Sequence, residues 1–166
     1  MTYTALLTLA ILRDDFQRLD REGIKTHRLD CIPNRDKLEQ WVLSRQVPLS
    51  GFQGRVEKEQ DTCYSFWCGA TAKILGCHAA IDAASDASYL LSAQSKRGGI
   101  AKVPGESPDV LHSYLSYVAL AMHQHDQLPN IGLPFRPVCA SLNLSYSSLE
   151  WVVEHLWHSV PTYSVP

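Results

Sequence analysis

The sequence predicts an all-α chain built of stacked helical hairpins, on three observations. Apolar residues recur at helical spacing in several stretches, and none alternates polar with apolar as a half-buried strand does. Helix punctuation surrounds those stretches, with Asp or Ser-Pro at the starts and Gly at the stops. A repeat is the third observation: 48 residues separate Gly51-Phe52 from Gly99-Ile100, and Asp61 from Asp109. Both copies run from Gly-apolar through a basic loop into Asp-x-x-(Tyr/His)-Ser-aromatic. Units of this length stack as hairpins into a solenoid or a closed α/α barrel.

Taken in order, residues 1–13 are apolar nearly all round and read as a buried helix, and residues 14–23 as a polar, charged continuation. Residues 25–34 form a loop closed by Pro33 and Asn34. A second helix covers residues 36–46, burying Leu38, Trp41, Val42 and the stem of Arg45, and Pro48 and Gly51 end it. The third helix, residues 61–75, starts at Asp61 as N-cap and stops at Gly76. A fourth covers 81–95 until Lys96-Arg97-Gly98-Gly99 breaks it. Ser107-Pro108 opens a fifth, with Pro at a tolerated first-turn position, running to about Gln124. Residues 126–145, with three prolines and a glycine, read as an irregular crossing segment. A last helix spans 146–158, and 159–166 is a tail. The whole of 1–166 reads as a single domain without a convincing strand.

Bulk properties narrow the function. At 166 residues, 45% hydrophobic and 19% charged, the chain is globular and long enough to bury a core. A net charge of -2 gives no reason to expect a nucleic-acid partner. Five cysteines, odd in number and without CxxC spacing, fit reduced intracellular thiols better than a disulfide framework. The N-terminus lacks a basic signal-peptide region, and no apolar run reaches the roughly 18 residues of a membrane span. The expectation is a soluble cytoplasmic domain.

Two groups of residues carry chemistry. Asp61 and Cys63 lie two apart, which on an ideal helix turns them about 200° from each other. At a helix start Asp61 need not be helical, and both side chains can converge. His112 occupies in the second copy the place of Tyr64 in the first, so adjacent repeats bring it towards Cys63. Cys, His and a carboxylate make three zinc ligands and leave one position open for substrate; the alternative is that these are packing residues. Arg55, Lys58, Tyr64 and Lys102 cluster near two helix entrances and suit a diphosphate, the alternative being solvated loop charges. Phe52, Phe66, Trp67, Tyr114 and Tyr117 either line an apolar cavity or belong to the core.

The stretch Gly51-Phe52-Gln53-Gly54-Arg55-Val56-Glu57-Lys58-Glu59-Gln60-Asp61-Thr62-Cys63-Tyr64-Ser65-Phe66-Trp67 resembles the Gly-x-x-Gly-Arg-x-x-Lys-x-x-Asp-x-Cys-Tyr-Ser-Phe-Trp signature of protein prenyltransferase β subunits. Residues 98–114 resemble the loop and helix that supply the family's zinc histidine. Within the family, Asp61-Thr62-Cys63, Phe66 and Lys102 look like the type I geranylgeranyl branch, Lys102 standing where the farnesyl branch carries a magnesium-binding Asp. The resemblance covers most of 1–24 and 36–125, and more weakly 135–157. It implies an α/α toroid of the six-hairpin family, here incomplete and resembling a truncated or internally deleted subunit, paired with a prenyltransferase α subunit. It implies zinc on Asp61, Cys63 and His112, diphosphate on Arg55, Lys58, Tyr64 and Lys102, and the isoprenoid against Trp67. Tyr64 and Lys58 thereby join the three ligands as catalytic residues. The implied reaction moves a geranylgeranyl group from geranylgeranyl diphosphate to the Cys of a C-terminal CaaX motif on small-GTPase-type proteins. A farnesyl- or Rab-type subunit and a non-catalytic helical scaffold are the alternatives. Three departures stand out: Val56-Glu57 replace the family's Pro-Asn, the chain is about half the family's length with the part before Met1 absent, and a block bearing a Gly-rich His motif is missing between about residues 24 and 36.

Overall fold

The computed structural model describes residues 3–4, 35–128, 132 and 134–156. The described elements are α1 (Arg35–Leu43), α2 (Thr62–Leu75), a 3-10 turn (His78–Ala80), α3 (Ala83–Ser92), α4 (Val110–Asp126), the two-residue strands β1 (Val138–Cys139) and β2 (Leu144–Ser145), and α5 (Tyr146–Leu156). Apart from Tyr3 and Thr4, which are helical, the helix expected over 1–13, the segment 14–23 and the loop 25–34 lie outside the described residues.

The centre of the arrangement is α2. Its sequence, TCYSFWCGATAKIL, is apolar or small around most of its circumference, so it is buried on opposite sides at once. Phe66 and Ala70 join a core with Leu90, Ile100, Leu115, Leu120 and Met122. Cys68, Ala72 and Leu75 join a second core with Leu38, Val42, Phe52 and Ile81. Gly69 faces α4, where an added Cβ would make only ordinary contact with Met122 Cε, at 3.5 Å. Gly76 ends the helix in the left-handed conformation, φ 79°, and its N–H returns to Ala72 and Lys73 carbonyls.

A buried polar network ties three helices across this core. Asp86 of α3 and His123 of α4 are both fully buried, and Asp86 Oδ2 lies 2.7 Å from His123 Nε2. Ser65 Oγ of α2 donates to Asp86 Oδ1 at 2.7 Å. His78 stacks on His123 with ring centroids 5.4 Å apart. Its Nδ1 sits 2.9 Å from Asp126 Oδ2, though not in a direction that makes a hydrogen bond.

The 48-residue repeat is visible in the backbone. Bridges Gln46↔Phe52 and Gln53↔Gln60 in the first copy recur as Gln94↔Ile100 and Ala101↔Pro108 in the second. Two capping aspartates recur likewise, Asp61 before α2 and Asp109 before α4.

Several sequence expectations need correction. The helix placed over 36–46 is Arg35–Leu43, and Trp41, expected inside, is 42% exposed. Arg45 is buried as expected, with its guanidinium carbon 5.3 Å from the Trp41 ring centre, so the exposed indole lies over the buried cation instead of entering the core. The helix over 81–95 shrinks to Ala83–Ser92, because Asp82 caps it by accepting Ser85 N–H. Pro108 lies before the cap and not in the first turn, in a bridge with Ala101. The stretch 126–145 is not wholly irregular: Val138–Cys139 and Leu144–Ser145 pair antiparallel, the chain reversing near Asn143 in a left-handed conformation at φ 53°. Two-residue strands are too short for alternation to betray them.

Candidate metal and diphosphate site

The site begins with the conformation of Asp61. Its φ of −146° and ψ of 126° are extended, so the residue stands outside α2 and its Oδ1 accepts Cys63 N–H at 3.0 Å. The same carboxylate thereby caps the helix and turns towards the side chain of Cys63, as the sequence required for convergence. Asp61 Oδ1 also lies 3.3 Å from His112 Nε2, which arrives from the first turn of α4. The ligating atoms of Asp61, Cys63 and His112 all lie within 4.8 Å of one another. Zinc with ligands at about 2.0–2.3 Å in a tetrahedron needs donor separations of roughly 3.3–3.8 Å, so this set needs only small side-chain adjustments.

Electrostatics supports that use. Cys63 is buried, and burial, followed by the hydrogen bond and charge of Asp61, pushes its thiol well above the ordinary range. A thiol so disfavoured as an anion becomes a thiolate readily only beside a strong local cation.

Sequence reasoning missed one member. Asp109 Oδ2 sits 2.6 Å from His112 Nδ1 while its Oδ1 accepts His112 N–H at 2.9 Å. A carboxylate only accepts, so Nδ1 carries a proton, and the tautomer this bond selects has its lone pair on Nε2, towards Asp61 and Cys63. The signal was present as a carboxylate three residues before the candidate ligand, at the capping position of the second copy. The hydrogen bonds hold that carboxyl below the usual range.

A cavity of about 930 Å³ opens beside the cluster, and Arg55, Lys58, Tyr64 and Lys102 all line it together with Asp61. The four residues expected on a diphosphate therefore share one space with a member of the candidate metal cluster. Glu57 and Glu59 line it too, so three carboxylates balance three cations in the wall. Gly54 is needed where Tyr64 crosses the loop, because a Cβ at that position would sit inside the phenol ring. Glu57 adopts φ 59°, a conformation in which Asn is more at ease than Glu.

A smaller cavity, about 270 Å³, shares Gly54 and Tyr64 with the first and is lined further by Tyr3, Trp41 and Trp67. Of the five aromatics offered for an apolar cavity, Trp67 alone lines this one. Phe52 and Phe66 are fully buried core, Tyr117 packs against Phe135, and Tyr114 is half-exposed with its hydroxyl 3.4 Å from Asn143 O.

Comparison with known proteins fits this geometry. The prenyltransferase α/α toroid domain model matches residues 1–31 and 25–144. The chain is 46% identical over 98 residues to the geranylgeranyl transferase type-1 subunit beta of Arabidopsis thaliana, covering 57% of this chain and 26% of that one. It is 38% identical over 146 residues to the subunit of the same name from Dictyostelium discoideum, covering 87% and 35%. The type-2 subunit beta of Saccharomyces cerevisiae is 31% identical over 116 residues, covering 68% and 34%. In fold, the chain resembles a solved Candida albicans protein geranylgeranyltransferase-I complexed with GGPP, at a TM-score of 0.69 and 23% identity over 92% of this chain and 42% of that one. The chain thus spans between a quarter and just over a third of the length of these curated relatives.

Proposed function

The chain belongs to the prenyltransferase α/α toroid family, and from that premise we propose that it acts as the β subunit of a type I protein geranylgeranyltransferase. The observation that carries this reading is that Asp61 belongs to both halves of the site, joining Cys63 and His112 in the metal cluster and lining the cavity of Arg55, Lys58, Tyr64 and Lys102. The substrate is geranylgeranyl diphosphate, the acceptor is the Cys of a C-terminal CaaX sequence ending in Leu or Phe, and the partner is a prenyltransferase α subunit. A cytoplasmic setting belongs to the same reading; among the described residues no helix is long and apolar enough to cross a membrane.

In this reading Asp61, Cys63 and His112 hold zinc, and Asp109 keeps the His112 lone pair on Nε2. Zinc bound there supplies the cation that keeps the acceptor thiol ionised. The thiolate sulfur forms a bond to C1 of the isoprenoid as the C1–O bond breaks, and the electron pair leaves with diphosphate. Arg55, Lys58, Lys102 and the Tyr64 hydroxyl stabilise the charge that grows on that leaving group, the role in which one fixed donor is worth on the order of 100- to 1000-fold in rate. Trp67, facing the smaller cavity, offers an apolar wall to the chain of the isoprenoid.

The test is single-turnover transfer from labelled geranylgeranyl diphosphate to a peptide ending in Leu, with the α partner present. Transfer should require zinc and fall at least 100-fold in Lys58→Ala. Equal use of farnesyl diphosphate would defeat the type I assignment, and stoichiometric zinc without any transfer would favour a non-catalytic scaffold.

A further inference from the structure

We propose that Thr62 is a positioning residue that sets the metal cluster and the Lys102 cation as one unit; the inference rests on the reading above and adds a residue to it. Thr62 stands between the two ligands Asp61 and Cys63 and is fully buried. Its Oγ1 donates to Ala101 O at 2.8 Å, and its backbone N–H donates to Lys102 O at 3.0 Å. One residue therefore grips two successive carbonyls of the strap that carries Lys102. The backbone bond also uses a first-turn amide of α2 that the cap does not reach, since Asp61 serves Cys63 N–H.

The other ligand-bearing helix holds the same strap. Ser113, next to His112, accepts Ile100 N–H at 2.8 Å and points its hydroxyl at Ile100 O, 3.3 Å away. Residues 100–102 are thus pinned from α2 by the neighbour of Cys63 and from α4 by the neighbour of His112. Ile100 and Ala101 are fully buried, so no water replaces a lost donor, and an unpartnered Ala101 carbonyl must shift to find one. Such a shift moves Lys102 and the start of α2 together. Loss of the Thr62 hydroxyl should therefore weaken metal and diphosphate binding in the same variant.

Three variants of the chain test this. Thr62→Val replaces the hydroxyl with a methyl of similar size, Thr62→Ser restores the hydroxyl alone, and Thr71→Val removes a hydroxyl of the same helix that bonds only Trp67 O within α2, at 2.7 Å. Zinc affinity is read by chelator competition, and inorganic pyrophosphate affinity by calorimetry. Thr62→Val should weaken each about 10-fold, the low end of what supporting contacts of a metal site give; Thr62→Ser should recover both, and Thr71→Val should change neither. A folded Thr62→Val within twofold of wild type in either affinity overturns the inference. So does a Thr71→Val that matches its losses, which would reduce the effect to general destabilisation. Should Thr62→Val not fold, Ser113→Ala tests the strap from the other side, with unchanged zinc affinity the contrary result. A wild-type chain binding neither zinc nor pyrophosphate would defeat the proposed function itself.

Discussion

Replacing Asp109 by Asn separates the two tasks that this carboxylate performs. Oδ1 accepts the backbone N–H of His112 at 2.9 Å, and Oδ2 accepts from His112 Nδ1 at 2.6 Å. Asn has one oxygen and caps helices as well as Asp does, so the first bond survives. The remaining amide group then faces Nδ1 as a donor. It favours the tautomer that carries its proton on Nε2, the nitrogen that lies 3.3 Å from Asp61 Oδ1 and must offer a lone pair to a metal. Asp109→Asn should therefore weaken zinc affinity about 10- to 100-fold, the range found for carboxylates that orient metal-bound histidines, with little change in melting temperature. Competition with a chromogenic chelator measures the affinity, and the visible spectrum of the cobalt-substituted protein reports whether His112 stays coordinated. Zinc affinity within threefold of wild type, with an unaltered cobalt spectrum, would refute the argument that Asp109 sets the tautomer.

Further outcomes can be checked in the same preparation. Cys63→Ala should abolish stoichiometric zinc and leave helix content by circular dichroism almost intact, because three ligands on preformed helices contribute less to folding than a closed structural site; in the metal-free wild-type protein, Cys63 should alkylate slowly at neutral pH. Burial, then the neighbouring His123, holds His78 down to about 4, below the usual value of about 6.5. The unfolded chain takes up a proton that the folded one refuses, so this contribution is complete above about pH 6.5 and is lost as pH falls towards 4; urea titrations of metal-free His78→Gln at pH 7 and 4.5 should lack that part of the slope. Glu57→Asn removes an anion from the cavity wall and relieves a left-handed backbone, so it should raise stability by about 0.5–1 kcal/mol and tighten pyrophosphate; a lowered melting temperature would contradict the backbone argument, and an unchanged pyrophosphate affinity the electrostatic one.

Local chemistry accounts for what was legible beforehand. An aspartate before an apolar run caps a helix through its own backbone neighbours, so Asp61 and Asp109 announce α2 and α4 without any distant contact. Because two copies of one unit share one backbone path, the 48-residue spacing placed His112 beside Cys63, and the paired bridges show that path. The family signature added the grouping of Arg55, Lys58, Tyr64 and Lys102, and all four line one cavity. What the tertiary structure decided were matters of contact between segments distant in sequence. Trp41 has the spacing of a core residue yet lies at the surface over the buried Arg45, and Phe52 and Phe66 went to the core instead of a cavity because both flanks of α2 are covered. The pairing of Asp86 with His123 across 37 residues, and the hold of Thr62 on the Lys102 carbonyl, have no local pattern. Periodicity tells which face of a helix is apolar, but a buried carboxylate or hydroxyl is settled only by the partner that folding brings within hydrogen-bond reach.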